Sequence, residues 1–114
     1  MFFLNIDFAR HAALVAVVRP GDGGEEIVGG GRYIVLQPGR AEAAFTVVDL
    51  YQGRGLGTVL LRHLAAIAGG AGIQEFVAAV LPDNTPMLEL FEHSGFPITS
   101  RREPGVVHVT LSLR

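Results

Sequence analysis

Three glycines stand on alternate positions in the stretch YQGRGLGT: Gly53, Gly55 and Gly57. They follow an apolar, β-rich run and lead into Leu56, Val59, Leu60, Leu64 and Ile67, whose spacing is helical. Glycine within a helix costs up to ~1 kcal/mol relative to alanine, so three of them at a helix entrance need a reason. A helix N-terminus presents unpaired amides and a partial positive charge. Bare Cα atoms let a phosphate come close to those amides, and Arg54 adds a formal charge with forked donors. The chemistry that suits this arrangement is the holding of a phosphate or pyrophosphate. The other reading is conformational: the glycines allow a tight strand-to-helix turn and nothing more. The interval is not the dinucleotide fingerprint G-x-G-x-x-G, because Gly57 comes one residue early. All nine basic residues are arginine, which removes a Walker P-loop and a Schiff-base lysine from consideration.

The elements that must position these residues can be read around them. The segment 12–19, AALVAVVR, is a short apolar run closed by the turn at 20–24, and reads as a buried strand. Residues 25–37 are β-rich, with Gly29 to Gly31 suggesting a bulge or a close backbone approach. A turn at 38–40 leads to a third strand over 41–50, so the three form an antiparallel meander. The helix after the glycines stops at Gly69 and Gly70, and 73–81 is another apolar strand. Strand, helix and strand of these lengths make a right-handed βαβ unit with 41–50 and 73–81 parallel. The stretch 83–95 is a short helix, with Thr85 as N-cap, Pro86 in the first position and Gly95 just past the end. The remainder is a hairpin turning at 103–105. The order β-β-β-α-β-α-β-β predicts an α/β or α+β fold with helices packed on one mixed sheet.

Composition bounds the rest. A chain of 114 residues, 49% apolar, is expected to be a single domain over 1–114. A net charge of −2 supplies no long-range pull towards nucleic acid or anionic lipid. The absence of cysteine excludes disulfides and thiolate catalysis, and the four histidines, His11, His63, His93 and His108, lack metal-ligand spacing, so no metal is expected. No apolar run is long enough to span a membrane, and the N-terminal residues lack the basic region of a signal peptide, so a cytoplasmic location is the default expectation. Arg101 and Arg102 read as solvated charge, the other reading being contact with an acidic protein partner.

The spacing of Gln52, Gly55 and Gly57, Q-x-x-G-x-G, resembles motif A of the GNAT superfamily of N-acetyltransferases. The later stretch DNTPMLELFEHSGF resembles that superfamily's second element, an Asn opening a helix that ends in GF. The likeness covers roughly residues 12–112 and is most specific over 41–96. It implies a GNAT-like mixed sheet and acetyl-coenzyme A as co-substrate. The pyrophosphate would be held by Gln52, Gly53, Arg54, Gly55, Leu56, Gly57 and Thr58, with Asn84 at the later helix. It also implies that the preceding strand pairs with the pantetheine arm, and that a backbone amide near Val47 or Val48 faces the acyl oxygen. AEAAFTVVDLYQGRGLG and VLPDNTPML resemble, more closely, the bacterial Pat-type protein lysine acetyltransferases, and that likeness implies that Glu42 is the general base.

Acetyl transfer needs a neutral amine. Deprotonating a free lysine of pKa ~10.4 at pH 7 costs about 4–5 kcal/mol, and a base in reach meets part of that. Glu42 shares a strand face with Ala44, Thr46 and Val48; partial desolvation there would raise its pKa and improve it as a base. Its other reading is an exposed charge beside the turn at Arg40. Many superfamily members carry a Tyr seven residues after the helix-opening Asn as general acid; here that position is Phe91. The superfamily's usual first strand and two helices are also expected to be lacking, because only eleven residues precede the strand at 12–19. The resulting expectation is an N-terminally truncated acetyltransferase domain whose uncovered apolar sheet face drives homo-oligomerisation. Its acceptor would be a primary amine, a protein lysine or a small molecule. A coenzyme A-binding or regulatory domain without turnover is the alternative.

Overall fold

The computed structural model describes residues 1–8, 10–19, 21, 23–47 and 55–113. In chain order the elements are β1 (Phe2–Phe8), β2 (His11–Val18), β3 (Glu26–Gln37), β4 (Arg40–Val47), α1 (Leu56–Gly70), β5 (Glu75–Val80), α2 (Thr85–Glu92), β6 (Ile98–Glu103) and β7 (Val106–Ser112). They form one seven-stranded sheet in the order β1-β2-β3-β4-β5-β7-β6. Only the β4–β5 pair is parallel, as the α1 crossover requires. The mixed sheet with two helices is the expected α+β architecture.

Two local expectations change. A strand, β1, occupies residues 2–8, where the sequence reading places none; its seven residues pair antiparallel with β2. Asn84 rather than Thr85 caps α2: its Oδ1 accepts the Met87 amide at 3.3 Å, and Pro86 sits in the first turn. Asn84 is the better cap because its short side chain reaches the third amide onwards while Thr85 takes helical geometry.

Directly opposed residues on paired strands share a sheet face. One face carries Ala12, Leu14, Tyr33, Ala41, Ala43, Phe45, Phe76 and Val109, all buried beneath the helices. Helix α1 presents Leu56, Leu60, Leu61, Leu64, Ala65 and Ala68 to that face. The approach is close because β3 is bare where the helix crosses it. A Cβ on Gly29 would lie 3.0 Å from the Thr46 carbonyl and 3.1 Å from Leu60 Cδ1, and one on Gly31 would lie 2.7 Å from the Phe45 ring. Beside Gly29 the β2–β3 register shifts between Ala16 and Val17, so Val28 is a bulge residue. The bulge and the close approach read from Gly29–Gly31 are both present.

The other face is open among the described residues. Leu4, Ile6 and Ile34 stand half exposed on it, with Arg32, Glu42, Ala44 and Thr46 exposed beside them. No helix of the described residues is long and apolar enough to cross a membrane.

Candidate functional site

Strands β4 and β5 pair over only three positions, Arg40–Glu75, Ala41–Phe76 and Glu42–Val77. Beyond Glu42 the ladder stops, although β4 continues to Val47 and β5 to Val80. Each strand keeps its other neighbour along its length, β3 for β4 and β7 for β5, so the sheet splits along one line without losing its remaining ladders. The split exposes backbone N–H and C=O groups on both lips. Such groups need partners, and here they face a cavity instead of one another.

The cavity measures about 230 Å³. Its strand walls are small, Ala43 and Ala44 on one lip and Ala78 and Ala79 on the other. Phe45, Met87 and Phe91 close its helix side, and the Phe45 and Phe91 rings meet edge-on at 6.1 Å. At the paired end Arg40 and Glu75 form an ion pair at 3.3 Å. Both are partly exposed, so this pair contributes little by itself.

Both helices begin at the open end of the split. Helix α1 follows β4, and its Leu56 side chain lies beside Gly29, which pairs with Val47 at the end of β4. Gly55 is the N-cap of α1, in the left-handed region at φ +80°, with open space where a Cβ would stand. Among the described residues no side chain caps this helix, so its first amides are open to another acceptor. Helix α2 follows β5, and its cap Asn84 lines the cavity. Asn84→Ala removes that cap and is expected to cost about 0.5–2 kcal/mol of stability, measurable as a lowered denaturation midpoint without ligand.

The sequence-predicted site residues converge in part. Glu42 forms the last β4–β5 pair, at the apex of the split, with Ile34 opposite it on β3. It is exposed on the open face and has no ion-pair partner among the described residues. The desolvation expected of Glu42 is therefore not supplied by the described residues, because nothing among them covers this face. Val47 pairs through its backbone with Gly29. Gly55, Leu56, Gly57 and Thr58 form the entrance of α1; Leu56 is buried, so only its backbone faces outward. Val48, Gln52, Gly53 and Arg54 lie outside the described residues.

Asn84 apart, the cavity walls were not among the sequence candidates. Ala43–Ala44 and Ala78–Ala79 carried a usable signal, since paired alanines are unusual in strands otherwise rich in valine and phenylalanine. His63 packs its ring on Phe3 at 4.6 Å, His108 lies 3.3 Å from Glu103, and Arg101 pairs with Glu103 at 3.1 Å; none of the three lines the cavity.

Comparison with known proteins agrees with this architecture. A family model described as the acetyltransferase (GNAT) family matches residues 2–96. The chain is 45% identical over 67 residues to acetyltransferase Pat of Mycolicibacterium smegmatis, covering 59% of this chain and 20% of that protein. It is 35% identical over 102 residues to acetyltransferase PA5475 of Pseudomonas aeruginosa, covering 89% of this chain and 53% of that protein. The chain thus spans about a fifth of the first relative and about half of the second. The solved GNAT domain of S. lividans PAT superposes with a TM-score of 0.80 at 36% identity, over 94% of this chain and 63% of that one.

Proposed function

Since the chain belongs to the acetyltransferase (GNAT) family, we propose that it binds acetyl-coenzyme A across the β4–β5 split and transfers the acetyl group to a primary amine. The observation that carries this is the ladder ending at Glu42, which leaves two unpaired strand lips below a carboxylate and two helix entrances at the mouth. Acetyl-coenzyme A supplies an activated thioester and a linear arm with amide groups. The lips supply complementary N–H and C=O groups for such an arm. The amides of Gly55, Leu56, Gly57 and Thr58, together with Gln52, Gly53 and Arg54, hold the pyrophosphate. A backbone amide at Val47 or Val48 donates to the acyl oxygen as negative charge develops there. Asn84 sits at the opposite lip. Glu42 takes the proton that the attacking amine must lose, directly or through one water. Phe91 has no proton to give, so the departing thiolate is protonated by water.

A protein lysine is the acceptor that the resemblance to Pat-type enzymes implies, and a small-molecule amine is the other. A cytoplasmic, homo-oligomeric single domain belongs to the same reading, with the half-exposed Leu4, Ile6 and Ile34 supporting association. One observation favours a second reading, a coenzyme A-binding domain without turnover: Glu42 stands exposed on a face that nothing among the described residues covers. Thermal denaturation with acetyl-coenzyme A tests both. Binding adds RT ln(1 + [L]/Kd), about 2.7 kcal/mol at a hundredfold excess over Kd. A clear upward shift with acetyl-coenzyme A and none with ATP or NAD is expected; no shift at saturating concentrations would overturn both readings.

A further inference from the structure

We propose that β1 pairs edge to edge with the β1 of a second copy of this chain, antiparallel about a two-fold axis at Asn5, joining two seven-stranded sheets into one. The inference rests on the homo-oligomer reading above and names its surface. It is independent of the acetyl-transfer chemistry, because β1 lies at the far end of the sheet order from the β4–β5 split.

The two edges of the sheet differ. Edge strands are normally protected from pairing by charge, proline, bulges or shortness. Strand β6 has such protection: Arg101, Arg102 and Glu103 are exposed along it, and Pro97 precedes it. Strand β1, FFLNIDF, has less: one charged residue, Asp7, in seven. It contains no proline or basic residue, and all seven residues pair with β2 without a register shift. It is also a fixed template. Phe3 packs partly into the core with its ring on His63, and Arg19 lies 4.8 Å above the Phe2 ring. Among the described residues no strand pairs with its outer backbone edge, which is open to a ladder of roughly one hydrogen bond per residue pair.

The side-chain order is self-complementary about Asn5. Antiparallel pairing centred there sets Leu4 opposite Ile6 of the partner, and Ile6 opposite Leu4. Leu4 and Ile6 are 48% and 53% exposed in the single chain, so this apolar pair gains cover in the dimer. The equivalent self-pairing of β6 would crowd four arginines, Arg101 and Arg102 from each copy. A β1–β6 contact would be head-to-tail, giving a ring or an open filament rather than a two-fold dimer.

The chain has no cysteine, so a single engineered one reports one contact. In the proposed register Asn5→Cys faces its own symmetry mate, within the 4.4–6.8 Å Cα separation that a disulfide takes. Light scattering of the unmodified chain is expected to show a dimer. Mild oxidation should convert Asn5→Cys to a covalent dimer that reductant reverses, while Thr99→Cys on β6 stays uncross-linked. A mixture of Leu4→Cys and Ile6→Cys chains should cross-link to each other, which checks the register with a second pair if Asn5→Cys folds poorly. A monomer at all concentrations would overturn the homo-oligomer reading itself. A dimer without these cross-links, or one trapped through Thr99→Cys, would overturn the β1 surface alone. Neither result bears on stabilisation by acetyl-coenzyme A.

Discussion

Glu42→Gln is expected to lower acetyl transfer by roughly 10²–10⁴-fold, the usual contribution of a positioned general base, while acetyl-coenzyme A still binds. Glutamine keeps the shape and hydrogen-bonding capacity of the side chain but cannot accept the amine's proton. The substitution is suited to the question because Glu42 is exposed and makes no ion pair among the described residues, so folding stability should change by no more than about 0.5 kcal/mol. The check is a paired measurement: thiol release with an amine acceptor, and thermal stabilisation by acetyl-coenzyme A. Loss of rate with retained stabilisation supports the base. An unchanged, measurable rate would remove Glu42 from the chemistry. A chain that binds but shows no rate before or after substitution fits the domain without turnover.

Gly31→Ala is expected to destabilise the fold by about 1–3 kcal/mol, the usual cost of overpacking a filled core. The new methyl group would sit 2.7 Å from two atoms of the Phe45 ring. That ring cannot swing aside freely, because Phe45 is buried and meets Phe91 edge-on at 6.1 Å. Movement would be passed to Phe91, and both rings line the cavity. The expected readout is a melting temperature lower by roughly 4–12 °C, at about 4 °C per kcal/mol for a domain of this size, with weaker stabilisation by acetyl-coenzyme A. An unchanged melting temperature would show that the β3–β4 contact has slack the geometry does not suggest.

Much of the sheet was legible because its punctuation is strong. The turns at 20–24, 38–40 and 103–105 contain glycine or proline at the right places, and the α1 crossover follows from a helical apolar spacing between two apolar strands. Strand β1 was not legible for the opposite reason. Between Phe8 and His11 the sequence carries no turn signal, so nothing marked off residues 2–8 as a strand of their own ahead of the one read at 12–19. Glu42's face was legible from alternation with Ala44 and Thr46. Its exposure was not, since alternation says which residues share a face and nothing about what covers it. The split itself leaves no mark in periodicity: β4 and β5 alternate as paired strands would, and only the register shows that pairing ends at Glu42. Phe45, Met87 and Phe91 read as ordinary core because a cavity wall and a core contact use the same side chains.

The three-residue β4–β5 ladder also sets how the molecule opens. Every other neighbouring pair of strands is joined over six to eight positions, mostly between segments close in sequence. The β4–β5 join is short and links residues 35 positions apart, Arg40 to Glu75. The sheet therefore divides into β1 to β4 and β5 to β7, meeting at a narrow seam. With three paired positions against six or more elsewhere, that seam has the fewest ladder bonds to hold it and is expected to be the first join of the sheet to open in the native state. A ligand bound to both lips acts there as a fastener. Its binding energy is delivered where the two units are held least, so it slows their separation more than it stiffens either one.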